Sequence, residues 1–373
     1  MDKLVKRDIQ GLIESQLFKG KAIVIYGARQ TGKTTLANMI REKRADSLYL
    51  NCDEIDIRQR LSHKTSTELA SLMAGKKLVV IDEAQRVENI GLTLKLLVDH
   101  FKETQVIATG SSAFELSDRI KESLTGRAFE FHLYPFSLRE LGQTYETHEL
   151  ERLIDQRMVY GMYPEVVRSG DPKVLRQLAD SYLYKDILSY QNIKSHDILI
   201  KLLQTLALQI GNQVSYQEVG ETVGIDKKTV EHYITILEQA FIVFRLRPFS
   251  RNLRNEIKKL RKIYFYDLGI RNALINNFNP PEIRQDAGML FENFMISERI
   301  KRNENLGVRK NLYFWRTHQK KEIDYLEEEG GRIRGYEIKL SKEVSKAGKL
   351  FLKTYPAGSV EVINKSNCLS FCL

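Results

Sequence analysis

The 373-residue sequence predicts an α/β protein. A parallel sheet with helices on both faces is expected first, then a helical and winged-helix region, then a C-terminal α/β domain. Three observations predict this. Strand and helix patterns alternate from Ala22 to Thr109, a helix–turn–helix pattern lies between Ser215 and Ala240, and the last third carries a long helix followed by two strands joined by an acidic, glycine-containing turn.

The first element is an amphipathic segment, Val5 to Leu17, with Ile9, Leu12, Ile13 and Leu17 at helical spacing. Strands follow at 22–26, 47–51, 77–82 and 104–109, and helices at 33–43, 66–74 and 91–102. This alternation calls for parallel strands joined by helical crossovers. A further strand, Ala128 to Leu133, completes a first domain at 1–145. Residues 146–195 read as helices of a lid or connector, followed by a helix over 198–210. Ser215 caps a helix ending at Val223, Gly224 breaks it, and Asp226 caps a second helix from Lys227 to Ala240. Strands Phe241 to Pro248 and Lys262 to Tyr266 form a wing and close a second domain at 146–262. The third domain, 263–373, contains a helix from Asp286 to Arg302 and two strands carrying Asp324 and Glu337.

Composition narrows the function classes. A hydrophobic content of 42% is that of a folded chain rather than a disordered one. Lysine and arginine exceed aspartate and glutamate by 58 to 48, a net charge of +10 that favours an anionic partner. Cys52, Cys368 and Cys372 have neither zinc-site spacing nor the even count of a disulfide framework, which points to a reducing compartment. The N-terminus lacks an apolar signal core, and no apolar run approaches the roughly 18 residues of a membrane span. A cytoplasmic location is the expectation.

The chemistry centres on GARQTGKT, Gly27 to Thr34, which fits the phosphate-loop (Walker A) pattern between an apolar strand and a helix. Gly27, Ala28, Arg29, Gln30, Thr31, Gly32, Lys33, Thr34 and Thr35 would line an ATP site. Backbone N–H groups of the loop would face phosphate oxygens, Lys33 would reach the β and γ phosphates, and the Thr34 hydroxyl would hold Mg2+. The apolar run KLVVIDEAQ ends in Asp82, the expected magnesium-shell carboxylate (Walker B). Glu83 follows it as the candidate that polarises the attacking water. After TQVIAT, any of Thr109, Ser111 or Ser112 could sense the γ phosphate; Ser111 is the representative choice. Arg127 is a candidate arginine finger for a neighbouring subunit or, equally, a surface ion-pair partner.

GARQTGKT, VVIDEAQ, TGSS, and LTGR followed by YPFSLREL resemble a broad group of bacterial and archaeal AAA-type P-loop ATPases, whose C-terminal region is catalogued as a domain of unknown function. GMYPEVV, SYLYKDIL and KIYFYDLGIRNAL extend the resemblance over most of the chain. It implies ATP hydrolysis and a homo-oligomeric ring or spiral. The second arginine such proteins use to sense nucleotide from the lid is not identifiable in this sequence.

In the helix after Gly224, Val230, Ile234 and Leu237 make the inward face and Lys227 and Lys228 point outward near its start, as in a recognition helix. The wing carries Arg245, Arg247, Arg251, Arg254, Lys258, Lys259, Arg261 and Lys262 against a single acid, Glu256. Such a hairpin suits a DNA phosphate backbone, with Arg251, Arg254, Lys258 and Lys259 as its core. The same charges would also serve a lid or a protein-docking module. Glu337 and Lys339 share a strand face, and a paired Asp324 would bring carboxylates and ammonium together for a divalent metal. This resembles the PD-(D/E)XK restriction-endonuclease fold, with Glu292 as the supporting helix carboxylate. A cutting site, a fold kept for binding DNA, and a purely structural hairpin all fit these residues. The combined expectation is an ATPase that binds and remodels DNA, branched DNA included. The alternative is an ATP-dependent protein-binding switch with no DNA partner and an inert nuclease-like domain.

Overall fold

The computed structural model describes residues 5–110, 124–182, 195–249, 261–317, 319–340 and 346–373. The chain divides into two compact units, Lys6–Pro135 with Gln239–Phe241, and Phe136–Glu238 with Ile242–Leu373.

In the first unit, strands β1 (Ala22–Tyr26), β2 (Ser47–Asn51), β3 (Leu78–Asp82), β4 (Gln105–Gly110) and β5 (Ala128–His132) form one sheet in the order β2-β3-β4-β1-β5. Every pairing is parallel. The three central strands are buried along their whole length, which is why AIVIY, and LVVI up to Asp82, read as apolar runs. Helices α1 (Ile9–Glu14), α2 (Lys33–Glu42), α3 (Ile55–Leu61), α4 (Ser66–Met73) and α5 (Ile90–His100) accompany the sheet. Ile9 and Ile13 of α1 join Leu36 and Ile40 of α2 and Ile23, Ile25, Val80 and Ile107 of the sheet in one apolar core. The expected N-terminal helix is present but shorter than 5–17. The order places β1 and β3 on either side of β4, so the loops after all three strands open at one end of the sheet. In parallel α/β sheets that end holds the ligand.

The second unit begins with α6 (Leu138–Leu141), α7 (Thr147–Tyr160), α8 (Pro164–Ser169), α9 (Pro172–Tyr182) and α10 (His196–Leu208). Strand β6 (Gln213–Val214), α11 (Tyr216–Val223) and α12 (Lys227–Gln239) follow, then strands β7 (Val243–Pro248) and β8 (Arg261–Phe265). Ser215 caps α11, and Gly224, at φ +84°, turns the chain out of it. A Cβ at Gly220 would lie 2.5 Å from the Ile225 carbonyl oxygen, so the turn between α11 and α12 closes against bare backbone. The remaining elements are α13 (Leu268–Leu274), α14 (Ala287–Asn305), β9 (Asn311–Arg316), β10 (Glu322–Glu329), β11 (Arg332–Ile338), α15 (Lys346–Thr354), β12 (Ser359–Ile363) and α16 (Cys368–Cys372).

These strands form a single seven-stranded sheet, β12-β11-β10-β9-β7-β8-β6. Strand β7 pairs with β9 in parallel through Arg247 with Tyr313 and Pro248 with Phe314. The wing strands and the C-terminal strands therefore share one sheet, and the boundary expected at residue 262 falls inside β8. Gly330 and Gly331, both at positive φ, form the expected tight turn between β10 and β11. Cys52, Cys368 and Cys372 are buried free thiols. Among the described residues, no helix is long and apolar enough to cross a membrane.

Candidate nucleotide site and a buried ion cluster

The loop after β1 is shaped by a close approach. Leu133 N–H donates to the Tyr26 carbonyl at 2.7 Å, and a Cβ at position 27 would lie 2.2 Å from the Leu133 carbonyl oxygen. Only glycine fits there. Gln30 and Gly32 take positive φ, 59° and 93°, which curls the backbone before α2 begins at Lys33. The buried Lys33 ammonium donates to the carbonyls of Gly27 at 2.9 Å and Ala28 at 2.8 Å, so its charge lies within the loop. Thr31 Oγ1 donates to the Ala28 carbonyl, while Gln30, Thr34 and Thr35 face solvent. A residue that sequence reasoning missed braces the loop from outside. The buried Arg7 guanidinium donates to the Thr31 carbonyl and to the Tyr134 carbonyl, each at 2.7 Å. A lone arginine before a short helix gives no signal of this.

Asp82 ends β3 directly beside the loop. Thr34 Oγ1 donates to its Oδ2 at 2.8 Å and Tyr49 Oη to the same oxygen at 2.6 Å, while Thr109 Oγ1 donates to Oδ1. Burial and the bond to Asp82 push the Tyr49 phenol well above its ordinary range, so it stays protonated and donates to Asp82. Of the three hydroxyl residues expected near the γ phosphate, Thr109 is held against Asp82, and Ser111 and Ser112 lie outside the described residues. Thr109 Oγ1 also accepts from Glu83 N–H at 3.3 Å. Glu83 has φ +52°, and its Oε2 accepts from the Gln85 side-chain amide at 2.6 Å. The donor set fits Mg2+, which takes one or two protein oxygens at a nucleotide site, and Asp82 with Thr34 supplies a carboxylate and a hydroxyl in contact. Arg127 donates from Nε to Asp99 at 2.8 Å in a part-exposed ion pair.

The second predicted constellation is arranged differently from expectation. Glu292 on α14 and Asp324 on β10 come together, but around the ammonium of Lys262 from β8. Lys262 Nζ lies 2.9 Å from Glu292 Oε1 and 3.8 Å from Asp324 Oδ1, and it also pairs with Glu322. Tyr264 Oη donates to the same Glu292 oxygen at 2.6 Å, and Ile338 N–H donates to Asp324 Oδ2 at 2.9 Å. Lys339, 43% exposed, reaches 3.9 Å from Asp324 Oδ2, and Glu337 is buried on β11. Burial, followed by the Glu292 charge, pushes Asp324 up to about 7. Burial alone would lower Lys262, but Glu292, Tyr264, Asp324 and Glu322 hold it well above the lysine range, so it stays charged. A divalent ion does not fit among these residues, because an ammonium already lies between the carboxylates. Among the described residues, no three His, Cys, Asp or Glu side chains converge as a metal set.

This corrects the count of wing cations. Lys262 points into the protein, and Arg245 bonds Glu238, Tyr216 and Thr235, so neither is presented to a phosphate backbone. Alternation along β8 places Lys262 on the face of the buried Tyr264, a period-two signal that a charge count overlooks. Lys227 and Lys228 are exposed at the start of α12, where Asp226 caps the N–H groups of Lys228 and Thr229. Arg251, Arg254, Lys258 and Lys259 lie outside the described residues.

Three family models match the chain in succession. An AAA domain matches residues 19–142, a domain of unknown function (DUF8612) matches 151–281, and another (DUF4143) matches 287–367. An uncharacterized protein of Mycobacterium tuberculosis, Rv2008c, is 24% identical over 341 residues, covering 90% of this chain and 74% of that protein. An uncharacterized protein of Methanocaldococcus jannaschii, MJ1544, is 26% identical over 360 residues, covering 87% and 75%. Among solved structures, the Walker-type ATPase PABY2304 of Pyrococcus abyssi superposes with a TM-score of 0.51 at 15% identity, over 73% of this chain and 96% of that one. The last likeness is one of fold. With the loop geometry and the 19–142 match, the chain carries an AAA-type P-loop ATPase domain, followed by regions whose family models have no assigned function.

Proposed function

We propose that the chain is a magnesium-dependent ATPase that couples ATP hydrolysis to binding and remodelling DNA. The observation that carries the ATPase reading is the junction of Thr34, Asp82 and Thr109 beside a loop that already encloses the Lys33 ammonium. Lys33 exchanges the Gly27 and Ala28 carbonyls for phosphate oxygens. Magnesium, held through Thr34 and Asp82, would neutralise charge on the β and γ phosphates. Thr109 holds Asp82 in place and links it to the Glu83 backbone. Glu83, released from Gln85, accepts the proton of the attacking water. The Arg127–Asp99 pair is part-exposed and worth at most about 1 kcal/mol, so it does not prevent Arg127 from serving a neighbouring subunit in a ring or spiral.

The DNA reading rests on α11 and α12 as a helix–turn–helix with Lys227 and Lys228 at the exposed start of the second helix. The chain between β7 and β8 adds Arg251, Arg254, Lys258 and Lys259. We take α10 to β8 as a winged helix and β9 to β12 with α14 as a nuclease-like core merged into its sheet. DNA affinity measured across salt concentrations tests this. Neutralising Lys227 and Lys228 to alanine lowers affinity and flattens the slope of log K against log salt by about 1 per lost phosphate contact. An unchanged slope overturns the DNA reading and leaves the second unit as a docking module for a protein partner.

A further inference from the structure

Away from the phosphate loop, the second unit holds a charged cluster around the buried Lys262, and its arrangement bears directly on what that unit does. Three carboxylates, Glu292, Glu322 and Asp324, meet at one ammonium that is 1% exposed. Buried carboxylates this close repel each other, which is relieved by a proton on one of them or by a cation among them. A hard divalent ion with oxygen ligands is one solution. This chain has another. Lys262 donates to Glu292 and Glu322, Arg316 pairs with Glu322 at 3.0 Å, and Lys339 approaches Asp324 from the rim. Each of these three carboxylates thereby has a cation of the chain beside it. The ammonium is also fixed in place. It lies 5.9 Å from the Tyr264 ring centroid and 5.8 Å from that of Phe314, with the Tyr264 hydroxyl completing the Glu292 contact.

We propose that Lys262 is a built-in cation that takes the place of a divalent metal in this pocket. The wild-type pocket binds no divalent ion and does not cut nucleic acid through Asp324, Glu337 and Lys339. Removing the ammonium lets Glu292, Glu322 and Asp324, which form no metal set as they stand, draw together on a hard divalent cation. The second unit then engages its partner by binding alone. The inference stands on the cluster's own geometry and is independent of the ATPase and DNA readings.

The test uses the full chain without nucleotide or DNA, so its failure is distinct from theirs. Mn2+ is titrated while free Mn2+ is followed by electron paramagnetic resonance, with thermal unfolding recorded in parallel. Lys262→Ala is expected to bind one Mn2+ per chain more than wild type and to gain thermal stability with Mn2+; adding Asp324→Asn abolishes both. A folded Lys262→Ala that gains no Mn2+ overturns the proposal. Should Lys262→Ala fail to fold, wild type against Asp324→Asn decides the matter. Identical Mn2+ isotherms support the proposal, and a wild-type site lost with Asp324 overturns it. Any Mn2+ taken up at Thr34 and Asp82 is common to both proteins and cancels.

Discussion

Replacing Gly27 with alanine puts a methyl group where the backbone of Leu133 already lies. The new Cβ would stand 2.2 Å from the Leu133 carbonyl oxygen, 3.1 Å from its carbon and 3.3 Å from Thr31 Oγ1. Ordinary contact begins near 3.4 Å, so the loop and the end of β5 must separate by about 1 Å. The Leu133 N–H to Tyr26 carbonyl bond ties the same two segments together, and the two nearest obstructing atoms belong to the Leu133 backbone. Strain of this kind costs about 1–3 kcal/mol. If the loop yields, its N–H groups lose their common aim and nucleotide affinity falls at least about tenfold, the equivalent of 1.4 kcal/mol. If β5 yields, the cost appears as a lower melting temperature. Gly11→Ala in α1 is the control. Nothing lies within 4 Å of its added methyl group, and in a helix the change contributes about 0.5–1 kcal/mol of stability. Titration with a fluorescent ATP analogue and thermal unfolding of both variants read the outcome. Wild-type affinity together with wild-type stability in Gly27→Ala would refute the reasoning.

Two further outcomes follow from the geometry. Glu83→Gln keeps an oxygen for the Gln85 amide, so fold and ATP affinity hold while turnover falls by about 10²–10⁴-fold; normal turnover would remove Glu83 from the mechanism. Glu327 tests acid stability. Burial would raise its carboxyl, but hydrogen bonds from Arg299, Lys310 and Asn303 lower it from the ordinary 4.5 to about 2. A carboxyl held that low contributes about 3 kcal/mol above pH 4.5, and this is lost as pH falls through 2. In urea unfolding, the stability gap between wild type and Glu327→Gln should therefore narrow by about that amount from pH 5 to pH 2. A gap constant across the range would contradict the assignment.

What could be read in the sequence follows the range of the forces involved. Strands β1, β3 and β4 stand out because burial on both faces makes them mostly apolar, and Gly27, Lys33, Thr34 and Asp82 stand out because the phosphate-loop pattern fixes residue types at fixed spacing. Helix α3 carries Asp56, Arg58 and Arg60 and buries only Leu61, so it has no apolar stripe to announce it. Strand β9 takes its place by pairing with β7, some 66 residues earlier, and no local pattern encodes that register. The same holds in the sites. Arg7, Tyr49 and Gln85 reach the nucleotide loop or its carboxylates only through tertiary packing. Lys262 stands among the wing cations in sequence, whereas its partners Glu292, Glu322 and Asp324 come from α14 and β10.

Coupling between the phosphate loop and the basic second unit is the central claim, and steady-state ATP hydrolysis tests it most directly. Turnover would be measured with magnesium, with and without linear or branched DNA, for wild type, Lys33→Ala and Lys227→Ala/Lys228→Ala. The account predicts hydrolysis that DNA stimulates, that Lys33→Ala abolishes, and that loses its DNA response in the double variant. Hydrolysis indifferent to DNA in all forms, or persisting in Lys33→Ala, would contradict it.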